Sequence, residues 1–412
     1  MAVLVVGTLD TKGAEVAFVR DLLERDGSTV LVLDVGVLRE GDVPADVGAA
    51  EVAAAGGADL EALRAAGDRG AALRAMARGA AALVRDLVAR GEVDGLLGLG
   101  GSGGSSVVAE VVRELPVGLP KLLVSTMASG DVSAYVGEGD LTLMHSVVDL
   151  AGLNVISRAV LRNAAAAIGA MASSYAAART APPEAGGRPL VAATMFGVTT
   201  PAVEVAKAEL EERGYDVVVF HATGSGGRAM EALVRSGFFA GVLDLTTTEV
   251  ADEVVGGVLS AGPGRLTGAA ELGVPQVVSL GAVDMVNFGP RDSVPPQFDD
   301  RTLLVHNDTV TLMRTTPEEA TVIGRTIGER VARSTGPVVA FVPAGGTSAI
   351  DVVDGPFWDP EADRAAAAAF REALAGTVEV VESDDDVNAP TFARAMARRL
   401  HDLVNGTRGE TS

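Results

Sequence analysis

Two short glycine-bounded runs near the start of the chain gather the residue types that handle phosphate. Gly7-Thr8-Leu9-Asp10-Thr11-Lys12-Gly13 follows one apolar stretch, and Gly98-Leu99-Gly100-Gly101-Ser102-Gly103-Gly104-Ser105-Ser106 follows another. Glycines let a backbone approach a phosphate closely, and free N–H groups where a helix begins favour an anion. Gly100, Gly101, Ser102, Gly103, Gly104 and Ser105 are therefore candidate ligands of a phosphate or carboxylate. No Gly-Lys-Ser/Thr closes the run, so it is not a Walker A loop. The plain alternative is a tight strand-to-helix turn that needs small residues. Thr8, Thr11 and Lys12 could neutralise and bind a phosphate, and Asp10 could hold Mg²⁺ or a ribose. Asp10 or Thr11 could equally cap the helix that follows. Ser125, Thr126 and Ser129 sit in a third polar loop that ends at Asp131.

The second half carries its own set. His221-Ala222-Thr223-Gly224-Ser225-Gly226-Gly227 again suits an anion, and Asp244-Leu245-Thr246-Thr247-Thr248-Glu249 supplies hydroxyls and two acids. Gly281 and Asp284 end a third apolar run. Among four histidines, His221 is the best acid–base candidate, because it stands beside a glycine turn. Glu249 is a candidate base or metal ligand, and also an ordinary residue for the first turn of a helix. Arg158 and Arg314 lie in apolar surroundings, where an arginine is costly unless paired. Each pairs with a carboxylate of the fold or with one of a substrate. Asn307 adjoins His306 after another strand. No zinc spacing and no nucleophile elbow occurs.

The elements that must position these residues follow one grammar. Val3–Val6 reads as a strand, Gly13–Arg25 as a helix and Thr29–Asp34 as a second strand. Neither strand alternates, as expected for strands covered on both faces. The same unit returns at a constant offset of 187 residues, Val3 matching Leu190, Gly27 matching Gly214 and Asp34 matching His221. The expected fold is α/β, with two Rossmann-like doubly wound parallel-sheet domains of related topology. A Pro/Gly-rich linker, Ala178–Pro189, is expected to divide a nucleotide-binding domain, 1–180, from a second domain with a substrate pocket, 188–412. Ligands of such sheets bind beyond the carboxyl ends of the strands, which places the three polar loops of each half around one crevice.

Composition narrows the partners. Of 412 residues, 55 are acidic and 33 basic, for a formal charge of −22, which disfavours a nucleic-acid backbone as ligand. Cysteine is absent, removing disulfides, thiolate nucleophiles and iron–sulfur clusters. The start of the chain lacks a basic region and a long apolar run, and no uncharged apolar run is long enough for a span. A cytoplasmic protein with no membrane partner is expected.

Ten motifs run in one order: Gly7–Gly13, Gly98–Gly104, Ser125–Asp131, Ser146–Arg158, Thr194–Pro201, Phe220–Gly227, Asp244–Glu249, Pro275–Phe288, His306–Thr315 and Pro343–Asp351. Over nearly its whole length the chain resembles the ATP-binding domain family named after the tomato mosaic virus resistance protein. The resemblance implies ATP with Mg²⁺ in the first domain, at Thr8, Asp10, Lys12, the Gly100–Ser105 loop and the Ser125–Ser129 loop. It also implies self-association, as a homodimer or higher homo-oligomer, and a TIM-barrel partner enzyme in many bacterial members. Ser105 stands where the family often has threonine. A nucleotide site facing a second anion site would suit an enzyme that activates a small carboxylic or hydroxy acid by phosphoryl or adenylyl transfer at the cleft between domains. There His221, Glu249 and Asp284 would handle the acceptor. Thr223, Gly224, Gly226, Gly227, Asp244, Thr246, Thr247, Thr248, Gly281 and Asn307 would surround it, with Arg158 or Arg314 clamping its carboxylate. The competing reading is an ATP-gated module that binds a protein without turnover. An NAD-linked oxidoreductase is disfavoured because the loop after the first strand lacks GxGxxG, although Asp34 ends the second strand.

Overall fold

The structure, a computed structural model, describes residues 1–41, 43–180, 187–374 and 376–410. The chain divides into two compact units, Met1–Glu184 and Ala185–Ser412. Residues 181–186 of the expected linker lie outside the described residues; Ala178 and Arg179 still belong to a helix, Val155–Thr180.

The first unit is built on five strands: β1 (Ala2–Gly7), β2 (Thr29–Asp34), β3 (Gly95–Gly100), β4 (Lys121–Ser125) and β5 (Thr142–His145). Their order is β2-β1-β3-β4-β5, and every neighbouring pair is parallel. Successive side chains of a strand point to opposite faces, and here both faces are apolar. Val3 and Val5 join Leu97, Leu99 and Leu122 beneath the helices Leu9–Arg25 and Val155–Thr180. Leu4 and Val6 join Leu96 and Leu123 on the other face, beneath Arg69–Ala89 and Ser102–Arg113. That double cover is why neither β1 nor β3 alternates polar with apolar. Val155–Arg179 is long and apolar enough to cross a membrane by length and composition alone. Its Leu161, Ala165 and Ile168, however, lie in the core of this unit.

The second unit holds a six-stranded parallel sheet and a small antiparallel one. The parallel strands are β6 (Leu190–Met195), β7 (Asp216–His221), β8 (Phe239–Thr246) and β9 (Gln276–Gly281). A three-stranded insertion follows, β10 (Met285–Phe288), β11 (Leu303–Asn307) and β12 (Val310–Arg314), before β13 (Val338–Pro343) and β14 (Glu379–Ser383) complete the large sheet. The large sheet runs β14-β13-β9-β8-β6-β7. Counted within the unit, this is the order of the first sheet with one strand added at the far edge. Gly7 pairs with Asp34 in one sheet, while in the other Thr194 pairs with Phe220 and Met195 with His221, so the strand pair repeats with its register shifted by one residue. In both units the strand order reverses beside the first strand, and open α/β sheets bind ligands at such a reversal.

The helix after β3 begins at Ser102, so Gly103 and Gly104 form its first turn. The helix after β1 begins at Leu9 rather than at Gly13 and contains a break at Lys12, with φ −128° and ψ 21°. Of the antiparallel sheet only the strand around His306 is read from the sequence; β10, β12 and β5, each of four or five residues, are additions of the structure.

Candidate functional site

The carboxyl ends of β1 to β5 surround a cleft of about 790 Å³ within the first unit. Its size falls in the range of small-molecule and cofactor sites. Thr8, Asp10, Thr11 and Lys12 line it from the end of β1, Gly101, Ser102, Gly103 and Gly104 from the end of β3, and Thr126 from the end of β4. Three polar runs far apart in sequence are thus brought to one edge.

The helix Ser102–Arg113 opens with Gly101 in an extended conformation and no side-chain cap; its first intrahelical bond from this side is Ser105 N to Gly101 O, 2.8 Å. The amides of Ser102, Gly103 and Gly104 are left as donors at the positive end of the helix. Arg69 lies close to the same turn: a Cβ on Gly103 would fall 3.3 Å from its Nη2. Lys12 donates from Nζ to Leu150 O at 2.7 Å, which leaves two of the ammonium's three donors. Apolar side chains, Val35, Val37, Leu63, Ala72 and Leu73, also line the cleft, and Leu73 lies against the glycine turn itself, its Cδ2 3.4 Å from where a Cβ on Gly103 would fall.

The remaining candidates of this unit have other places. Ser105 and Ser125 are buried and share a 2.6 Å hydrogen bond, and Ser125 Oγ also accepts from Met127 N at 3.0 Å. They fasten the β3 and β4 ends from beneath. Gly100 is the last residue of β3 and accepts from Thr126 N. The Thr8 and Thr11 hydroxyls bond to each other at 2.8 Å. Ser129 is exposed and outside the lining. Arg158 stacks over the Phe18 ring, 4.9 Å from its centroid, and does not line the cleft.

Sequence reasoning missed three lining segments: Val35–Leu38 after β2, Leu63–Leu73, and His145–Asp149 after β5. The last contains Val147, a β-branched residue at φ +66° in a turn closed by Val148 N to Ser146 O, 2.7 Å. That backbone is strained for a residue of its type. A signal for it existed, since Ser146–Arg158 is one of the ten motifs.

The candidates of the second unit are bonded to each other. Glu249 is fully buried, and its carboxylate accepts from Gly224 N (2.7 Å), Gly227 N (3.0 Å) and Arg265 Nε (2.7 Å). The anion held by the glycine-rich turn is therefore the protein's own. A Cβ on Gly227 would lie 2.2 Å from Glu249 Oε2, which is why that position is glycine. Arg265, also fully buried, makes two further bonds to Asp244 (2.5 and 2.6 Å). Thr194 Oγ1 donates to Asp244, and Thr246 and Thr247 bond to Thr199 and to Ser279 O. Thr248 is buried beside Asn287. Arg265 was not singled out from the sequence; three acids in buried positions, Glu231, Asp244 and Glu249, were the available sign of a missing cation.

Gly281 is the last residue of β9, and its O accepts from Thr247 N. Asp284 and Arg314 belong to a second buried group. Asp284 accepts from Thr347 Oγ1 (3.1 Å) and Ser348 Oγ (2.9 Å), while Arg314 bonds Asp363 Oδ1 (2.5 Å) and Phe357 O (2.7 Å) and stands 3.6 Å from Asp351. Burial, then the Asp351 charge, pushes the Asp284 carboxyl up to about 7 against the pull of Arg314. The same causes push Asp363 up to about 8. His221 is exposed, its ring 5.6 Å from that of Phe196, and Thr223 Oγ1 bonds its carbonyl. Gly226 lies in the first turn of the helix Ser225–Arg235. Asn307 caps an exposed hairpin turn through Thr309 N. Among the described residues no group of three His, Asp or Glu side chains is arranged to hold a metal ion.

Two outcomes follow for the second unit. Removing Arg265 as Arg265→Ala strands two buried carboxylates and should cost about 3–5 kcal/mol of unfolding free energy; urea unfolding measures it, and a cost below about 1 kcal/mol contradicts the network. Carboxyls whose folded pKa is raised bind protons more readily in the native state, so their contribution is largest below the unfolded value and is lost as pH rises through 7 to 8. The urea midpoint should therefore rise between pH 9 and pH 6, and Asp363→Asn should flatten that rise; a midpoint that falls over this window contradicts the assignment.

The two halves match the models of the uncharacterised protein family UPF0261, the N-terminal domain over residues 1–177 and the C-terminal domain over 188–404. A UPF0261 protein of Clostridium tetani is 48% identical over 403 residues, 98% of each chain. One from Rhizobium meliloti is 45% identical over 98% of this chain and 99% of its own. The ToMV resistance protein Tm-1(GCR237) of Solanum lycopersicum is 47% identical over 268 residues, which are 65% of this chain and 36% of the tomato protein. Among solved structures, the esterase domain of a Rhodothermus marinus protein aligns with a TM-score of 0.31 at 15% identity, over 54% of this chain and 90% of that one. The chain belongs to the UPF0261 family.

Proposed function

We propose that the first unit binds ATP, with Mg²⁺ accompanying its phosphates. One observation carries the reading: a single cleft is lined by the uncapped first turn Ser102–Gly104, by Lys12 and Arg69, and by apolar side chains. Amides and cations suit the phosphates, and Val35, Val37 and Leu63 suit a base. The residues also fit a metal that arrives on the phosphates, since Mg²⁺ is commonly held by one or two carboxylates plus phosphate oxygens. The acidic lining side chains are Asp10, Asp68 and Asp149, and Asp68 is engaged as a helix cap to Ala71 N.

ATP bound here would serve one of two ends. In the first, the phosphoryl or adenylyl group passes to a small carboxylic or hydroxy acid, and Lys12 and the Ser102–Gly104 amides stabilise the charge that develops on the phosphate. In the second, ATP sets the shape of a module that engages a protein, without turnover. The internal bonding of the second unit favours the second end. Glu249, Asp244, Asp284 and Arg314, which would have received an acceptor acid, are already bonded within the fold, the first two to Arg265, Asp284 to Thr347 and Arg314 to Asp363. A relative whose name denotes resistance to a virus, rather than a reaction, is in keeping with it.

Calorimetric titration of MgATP should show binding that Lys12→Ala weakens at least tenfold. Absence of binding in the wild type overturns the proposal. ADP or AMP released in the presence of a panel of small acids would select the first end, and tight binding without release the second.

A further inference from the structure

We propose that Asp10 recognises a ribose hydroxyl of the nucleotide and so makes the cleft select ribonucleotides over deoxyribonucleotides. The inference rests on the nucleotide reading above. In dinucleotide-binding sheets the ribose hydroxyls meet an acid that follows the second strand, and here Asp34 holds the end of β2. Asp34 is committed elsewhere: its Oδ1 accepts from Leu9 N at 2.9 Å and from Gly36 N at 2.8 Å, and it is not part of the cleft lining.

Asp10 takes the position instead. It lines the cleft, is only 4% exposed, and accepts from Leu38 N at 2.8 Å through Oδ2. Its Oδ1 is buried and meets no donor. A carboxylate oxygen sheltered from water without a donor is costly, and a ligand hydroxyl would relieve that cost. Gly36 is what allows the arrangement, because a Cβ there would fall 2.7 Å from Asp10 Cγ and 2.8 Å from Oδ1.

Strand order supplies the second argument. Val35 and Val37 form an apolar wall just past β2, and the amides proposed to bind phosphate follow β3. β1 lies between those two strands, and Asp10 follows β1. In a nucleotide the sugar likewise lies between base and phosphates. A nucleotide with its base on the wall and its phosphates at Ser102–Gly104 thus brings its ribose past Asp10.

The test is calorimetry on the full chain with ATP, 2′-deoxyATP, 3′-deoxyATP and inorganic tripolyphosphate, each with and without Mg²⁺. The wild type should bind ATP at least tenfold more tightly than one of the deoxynucleotides, as expected for a hydrogen bond to a charged group. Asp10→Asn should narrow that ratio, and Gly36→Ala should do the same by displacing the carboxylate. Equal wild-type affinity for all three nucleotides overturns the inference and requires no variant to fold. Retained discrimination in Asp10→Asn, with its Mg²⁺ dependence lost, also overturns it and assigns Asp10 to the metal. Binding of tripolyphosphate alone would keep the phosphate site but refute the nucleoside half of the reading and this inference with it. No binding of any probe refutes both.

Discussion

The carboxyl edge of a parallel sheet collects polar groups that the sheet itself cannot satisfy. Strand-end side chains and the first amides of the following helices gather there, and a buried donor or acceptor without a partner is costly. The two units answer this constraint in opposite ways. In the second, Arg265 brings a cation under the edge, Asp244 and Glu249 close around it, and the Gly224–Gly227 turn donates to Glu249. In the first, the amides of Ser102, Gly103 and Gly104 have no side-chain cap, and Asp10 keeps an unpartnered oxygen. Two sheets of one strand order therefore carry one edge satisfied from within and one open to a ligand.

This difference bears on how function divides within the chain. A repeated fold offers two equivalent places for a ligand, but equivalence of strand order does not make the places chemically alike. The second edge resembles a site whose ligand has been replaced by side chains. Its hydroxyls, carboxylates and glycines still have the composition of a binding loop, because an internal carboxylate needs the same donors as an external one. The buried group around Arg314 is a separate matter. It sets Asp284, Asp351 and Asp363 against a single arginine and ties the end of β12 to the segments that follow β9 and β13.

Much of the fold was legible because it rests on local rules. Val3–Val6 and its counterpart at Leu190 declare themselves as strands covered on both faces, the runs at Thr29 and Asp216 as the edge strands beside them, and Gly27 and Gly214 mark the ends of the helices before the second strands. The first unit's cleft was legible at Thr8–Lys12 and Gly101–Gly104 for the same reason, since glycine and hydroxyl runs at strand ends are local patterns. What was not legible depends on distant pairing. Nothing near Glu249 announces that Arg265 will fill its pocket, and nothing near Leu63 or Arg69 announces that they will wall a cleft with Gly103. Arg314, read as needing a carboxylate, has one in Asp363, but the identity of that partner lies 49 residues away.

The central claim is that the first edge is open to an external anion and the second is closed by an internal one. A crystal structure of the chain with Mg²⁺ and a non-hydrolysable ATP analogue tests it directly. The account predicts phosphate density against the amides of Ser102, Gly103 and Gly104, with Glu249 still bonded to Arg265. Phosphate density at the Gly224–Gly227 turn, with Glu249 displaced, would contradict it.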